Sequence, residues 1–345
     1  MQETPGFIEE ALKSMAQTAT NLPDPLSGDT LEDLDLPDTQ WIHGTLLPFP
    51  GLVAISAVPG SYKTFFALWM AIRASNGLPL FDKGEAIGGL EKMGVVPTLF
   101  IEEENTLRML KHRFMQFPKL NGSNIHFYVD EGFKMKEQAW VDRILQVVDK
   151  LGIKLIFLDP FSSVMGLENE NDNAEVSKVM DIIRKEFLKR NITIVLIHHS
   201  SKSANGAPSL RGASDILGKV DVHLAMSIED ASERLVTVKY AKMRLIDSSD
   251  LKDFQVRLVG TKGLRDWRFE YVGEKKPEFI EARDELRGKI ENLFEDGETR
   301  SRKAVAEALG ESLTGKKFRG VWEWMVETGI LKKNGKDGFV HKNAE

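Results

Sequence analysis

Residues 52–65 read LVAISAVPGSYKTF: an apolar run, a Pro59–Gly60 turn, then Lys63 and Thr64 at the start of an amphipathic stretch. A tight loop between a buried strand and a helix N-terminus aims backbone N–H groups and the positive end of the helix dipole at one point, which suits phosphate. In that context Lys63 is expected to reach the β- and γ-phosphates of a nucleoside triphosphate and the Thr64 hydroxyl to ligate magnesium. Pro59, Gly60, Ser61, Tyr62 and Phe65 complete the cradle. The strict pattern G-x-x-x-x-G-K-[ST] is not met, because Ala57 and Tyr62 stand at its two glycine positions. A tyrosine there is strained if the backbone must turn left-handed. The same letters also fit a strand-turn-helix whose Lys-Thr pair is merely surface, and the rest of the chain decides between the two.

Outward from the loop, short apolar runs alternate with helical stretches. Strands are expected at 52–58, 96–102, 125–129, 155–159 and 193–198, with helices at 65–75, 107–117, 139–151 and 176–190. That alternation is the pattern of an α/β domain with a mostly parallel sheet flanked by helices. Three further runs, 222–228, 235–241 and 254–260, follow with hardly any helix between them and predict an antiparallel extension at one edge. The run LIFLD (155–159) ends in Asp159. A carboxylate at the C-terminal end of a buried strand lies on the ligand-binding edge of such a sheet, where it can hold magnesium.

The 345 residues are 42% hydrophobic and 28% charged, enough apolar material for a packed core. With no cysteine, disulfides and thiolate metal sites are excluded. The opening MQETPGFIEE has neither the basic nor the apolar part of a signal peptide, and no apolar run suffices to cross a bilayer, so the expectation is a cytoplasmic protein with no membrane partner. The net charge of −6 is unevenly spread: residues 1–40 hold nine acids against Lys13 alone, whereas nine bases from Arg300 to Lys336 outnumber the acids among them. A polyanion would therefore meet the C-terminal part or a central loop. Three parts are expected: an acidic arm or linker at 1–40, with a short amphipathic helix at 6–17; the α/β domain at 41–272; and a small domain at 277–345. In the last, helices at 277–295, 302–309 and 315–328 precede two short runs, the outline of a winged helix-turn-helix.

Four motifs, AVPGSYKT (57–64), LFIEEENT (99–106), LIFLDP (155–160) and TIVLIHHSSK (193–202) followed by SLRGASD (209–215), appear in order. Over about residues 41–260 the chain resembles the RecA-like P-loop ATPase superfamily, and within it is similar to the RepA-like hexameric replicative helicases of plasmids and phages. The resemblance implies a RecA-like fold, ATP and Mg2+ as ligands, and a glutamate at the end of the 96–102 strand that activates water. Its register favours Glu104, with Glu103 as the alternate; a carboxylate can accept the proton of an attacking water. A polar sensor of the γ-phosphate falls on His198 or His199, and the family pattern favours His199. Paired histidines can also bind metal, although no third ligand lies near them in sequence. Beyond them Lys202 and Arg211 sit in a glycine- and serine-rich loop that suits a nucleic-acid backbone. The run KYAKMR (239–244) resembles a K-x-R element, giving Lys242 and Arg244 roles in a neighbouring subunit's ATP site, the arginine as a trans finger.

Three functions stay open from the residues. The first is a ring-forming DNA helicase, hexameric by resemblance, acting on single-stranded DNA beside replication or recombination proteins. The second is an accessory ATPase that uses ATP as an assembly switch on DNA without unwinding. The third is a regulator that shares only the ATPase core.

Overall fold

The apolar run that opens the phosphate loop forms a central strand, β3 (Leu52–Ala57), with every residue buried. In the computed structural model, which describes residues 25–35, 38–82, 93–167, 172–202, 208–210, 216, 218–247, 251–275, 278–335 and 338–341, this strand pairs with β7 (Thr193–Lys202) on one side and β9 (Val222–Asp230) on the other, both parallel to it. β6 (Leu155–Asp159), β4 (Thr98–Glu102) and β5 (Ile125–Val129) extend the parallel part from β7. Beyond β9, β10 (Leu235–Met243), β11 (Phe254–Val259) and β12 (Arg268–Glu274) add the antiparallel edge, so the order is β12-β11-β10-β9-β3-β7-β6-β4-β5. β8 (Pro208–Leu210) pairs with the end of β7.

The strand sequences explain why the sheet is buried on both faces. Side chains alternate sides along a strand. Val53, Ile55, Phe100, Phe157, Val195 and Ile197 join one apolar cluster, and their neighbours in sequence, including Ala54, Ile101, Ile156 and Leu196, join a second. The first cluster is closed by helix Lys63–Ser75, whose Phe66, Trp69 and Met70 are fully buried; the second by Gln138–Leu151 and Asn173–Ile182, through residues such as Ile144 and Val179. Runs without polar alternation are what a doubly covered parallel sheet requires. On the antiparallel edge, β11 alternates buried and half-buried residues, as a strand with one covered face does.

The expected strands are all present, and the structure adds several that sequence reading omitted. β12 was missed, as was the small antiparallel pair β1 (Gln40–His43) and β2 (Leu47–Phe49) ahead of β3. The helix expected over 176–190 divides into an α-helix to Ile182, a wider π-turn at Ile183–Phe187 and a 3-10 turn at Leu188–Arg190. Ile183 and Phe187, at the two ends of the π-turn, are both buried in the core.

Downstream, helices Glu278–Asn292, Arg302–Leu309 and Lys316–Glu327 pack with a three-stranded antiparallel sheet, β13 (Arg300–Ser301), β15 (Gly338–His341) and β14 (Leu331–Asn334). They share their own core around Ile290, Val305, Phe318, Trp322 and Met325. Of the first 39 residues, the described part contains a short helix, Gly28–Glu32, capped by the Ser27 hydroxyl. The helix expected at 6–17 lies outside the described residues. Among the described residues no helix is long and apolar enough to cross a membrane.

Candidate nucleotide site

After Ala57 the chain turns through Pro59 and Gly60 and enters the long helix at Lys63. Gly60 sits at φ +83°, where a side chain is disfavoured, and Tyr62, the residue before the helix, is itself left-handed at φ +61°. That conformation costs a non-glycine residue about 1–2 kcal/mol. The site therefore keeps a backbone strain that the family glycine would avoid. The helix N-terminus opens on a cavity of about 360 Å3, lined by Pro59 through Phe65 together with Glu104, Asn105, Arg113 and His199. All seven residues expected to cradle phosphate are in that lining.

Register carries the remaining groups to the same edge. His199 on β7 stands opposite Ala57 on β3, and Asp159 at the end of β6 stands opposite Glu102 at the end of β4. All four mark the C-terminal edge of the parallel strands, where open α/β sheets bind ligands. The buried ammonium of Lys63 lies 3.1 Å from His199 Nδ1, and His199 Nε2 lies 3.4 Å from a carboxylate oxygen of Glu104. Lys63 donates to Nδ1, so the imidazole carries its proton on Nε2 and donates onward to Glu104. Burial lowers the Lys63 pKa, partly offset by Asp159 and Glu104.

Asp159 and Glu102 form a pair of buried acids. Burial raises the Asp159 pKa, and the neighbouring Glu102 charge raises it further, against the pull of the Thr64 hydroxyl and Lys63. Glu102 is raised by burial too, although its Oε1 accepts the backbone N–H groups of Glu104 and Asn105. Both Asp159 oxygens and Glu102 Oε2 are buried without a geometric hydrogen bond. Orphaned hard oxygens next to a hydroxyl are a fitting environment for Mg2+, which binds through one or two carboxylates and completes its shell with phosphate and water. Among the described residues no group of three or more His, Asp or Glu that could hold a metal ion is found.

The two candidate bases separate clearly. Glu104 lines the cavity and is about half exposed. The Glu103 carboxylate turns away and accepts the N–H groups of Glu131 and Gly132. Lys242 and Arg244 do not reach this cavity within the chain; both donate to the Gly218 carbonyl. Lys242 pairs with His223, which pairs with Ala54, so the two cations occupy the sheet edge opposite the phosphate loop. Lys202 ends β7, its side chain lies outside the described residues, and Arg211 lies outside them altogether. Sequence reading missed Asn105 and Arg113 as members of the site and held Glu102 only as a fallback for the base. Glu102 carried a signal, being the last residue of an apolar strand run; Arg113, stacked over Phe65 at 5.7 Å, carried none.

Behind the loop, His223 Nε2 is 2.8 Å from the Ser56 hydroxyl, and its ring is buried. Burial, then the adjacent His198 and Lys242, push its pKa down from 6.5 to about 4. Between those values the unfolded chain binds the extra proton and the folded chain does not. This position therefore loses about 3 kcal/mol of stability as the pH falls through that window, and nothing above it. The stability of the natural chain minus that of His223→Gln, from urea unfolding at successive pH values, should trace that fall; parallel profiles would refute it.

A family model described as an AAA domain matches residues 16–205, more than half of the chain. Among solved structures, the chain is similar to the KaiC-like protein PH0186 from the hyperthermophilic archaeon Pyrococcus horikoshii OT3. That similarity has 16% identity and a TM-score of 0.46 and covers 67% of this chain and 99% of the other. No curated protein matches the sequence.

Proposed function

From the chain's membership of the AAA domain family, a P-loop ATPase assignment, we propose that it is a DNA-translocating ATPase working as a homomeric ring, of the RepA-like hexameric helicase kind. One observation carries the reading. The nucleotide edge of the sheet gathers Lys63, Thr64, Glu104, Asp159 and His199, while the basic pair Lys242 and Arg244 lies at the opposite edge. A head-to-tail ring brings such opposite edges together, and each site then draws its finger from a neighbour.

ATP is the substrate of this reading. Water attacks the γ-phosphorus while Glu104 accepts its proton, and the bond from that phosphorus to the bridging oxygen of ADP breaks. Lys63 and the helix N-terminus hold the phosphates. Thr64 and Asp159 are the residues that would hold Mg2+, which supplies charge neutralisation on the phosphate oxygens when bound. The γ-phosphate competes with His199 for the Lys63 ammonium. His199 is thereby placed to report occupancy along β7 to Lys202 and, past it, to Arg211, the proposed contacts to DNA.

The C-terminal order of helix, strand, helix, helix and two strands supports a winged helix-turn-helix reading of that part. We place the assembly in the cytoplasm, beside replication or recombination proteins. ATP turnover is expected to rise severalfold with single-stranded DNA, with strand displacement of one polarity and a six-subunit mass in the presence of ATP. Slow turnover indifferent to DNA would sink the motor reading, and DNA-bound turnover without displacement would leave an assembly switch.

A further inference from the structure

The C-terminal part contains a second cavity, of about 680 Å3, with a lining unlike that of the nucleotide site. Arg302 and Lys303 enter it from the helix Arg302–Leu309, Arg319 from the helix Lys316–Glu327, and Lys333 from β14. Ser301 and Thr314 add hydroxyls, and among the described residues no carboxylate lines it. Four cations from three elements thus surround one opening. Their internal neutralisation is slight: Arg302 meets Glu323 only at 3.9 Å and Lys303 meets Glu307 at 3.8 Å, both on largely exposed carboxylates. Arg319 and Lys333 form no ion pair among the described residues, and Arg302 Nε is buried without an acceptor.

Two local conflicts with stability point the same way. The helix Lys316–Glu327 begins with Lys316, Lys317 and Arg319, has no acid in its first turn and no side-chain cap. Cations there oppose the helix dipole. Within the same helix Gly320 is exposed, with nothing within 4 Å of where a Cβ would sit. A glycine weakens a helix interior relative to alanine, and no contact among the described residues requires it here. An anion against the first turn and a backbone passing close to Gly320 would relieve the first conflict and make use of the second.

We propose that this cavity is a phosphate-backbone site through which the C-terminal part grips duplex DNA, independently of the nucleotide site. The ligand is a phosphodiester because the donors are cations and hydroxyls, and among the described residues no carboxylate lines the opening. A duplex fits better than a single strand, whose sites add free aromatic platforms for the bases. Phe339, the one aromatic of this lining among the described residues, is already packed edge-on against Trp322.

The test is fluorescence anisotropy of the full chain with a labelled duplex of about 20 base pairs, without nucleotide, over a salt series. Arg319→Glu with Lys333→Glu should weaken duplex binding about tenfold or more and reduce the log–log salt slope by about two. The milder Arg319→Gln with Lys333→Gln should fall between, and ATP turnover without DNA and thermal melting should match the natural chain. Unchanged duplex affinity and slope in both double variants would overturn the proposal, as would equal loss for a single strand of the same length. Lys63→Ala should retain duplex binding in full. Failure of single-strand stimulation with this duplex binding intact would count against the motor reading alone.

Discussion

Glu104→Gln is expected to lower the turnover number for ATP by about 10²–10⁴-fold while nucleotide affinity stays near that of the natural chain. The amide keeps the size of the side chain, and its oxygen can still accept the His199 Nε2 proton across the 3.4 Å separation, so the cavity is preserved. Only the ability to take a proton from water is removed. Glu103→Gln is the internal control: its carboxylate is turned from the cavity towards the N–H groups of Glu131 and Gly132, so although the amide oxygen keeps only one of those two bonds, turnover should be unchanged. Glu102 has a different part. Its Oε1 accepts from the backbone of Glu104 and Asn105 and so shapes the turn that presents Glu104 to the cavity. Phosphate release and equilibrium nucleotide titration on the three proteins give the answer. Normal turnover in Glu104→Gln would remove it as the base and leave Glu102 as the carboxylate at that strand end.

This triplet also marks where sequence reading ran out. The strand run was legible from its apolar letters, whereas the acids after it fit a solvated strand end as well and gained a role only through the resemblance. Which acid faces the cavity was not legible, since the alternation of a strand stops at Glu102 and the chain there follows a turn in which Glu103 N–H bonds the Asp159 carbonyl. Local backbone decides such orientations, and no periodicity encodes them. At Tyr62 the letters gave a condition, strain if the backbone turns left-handed there, and the tyrosine does sit at φ +61°. The spacing of Lys242 and Arg244 could be read from the letters, but their distance from Lys63 depends on the register of β10 against β9, which involves residues far apart in sequence. Arg113 gave no warning because its place follows from how its helix lies against Phe65.

That register leads to the last expectation. Lys242 lies level with Ala54, three residues before the end of β3, and Arg244 lies beyond it, so along the strand the pair is about 10 Å or more from the start of the phosphate loop. Arg244 cannot act on its own chain's nucleotide from there. If it serves a neighbour, Arg244→Ala should lower the turnover of the assembled protein by about 10³–10⁵-fold, the range a transition-state arginine commands. Among the described residues its side chain gives up the bond to the Gly218 carbonyl, so melting should hardly move. Lys63→Ala alone should be equally inactive. Mixed in equal amounts, the two inactive proteins form rings in which a site is complete wherever an Arg244→Ala subunit, with its Lys63 intact, faces the finger of a Lys63→Ala neighbour. For random assembly through one repeated head-to-tail interface this is about one site in four, so activity should return to roughly a quarter of the natural level. A mixed ring, confirmed by mass, with no more activity than its parts would rule out a trans finger. Complementation near a quarter would mean that hydrolysis is a property of the interface, and that the chain works only when assembled.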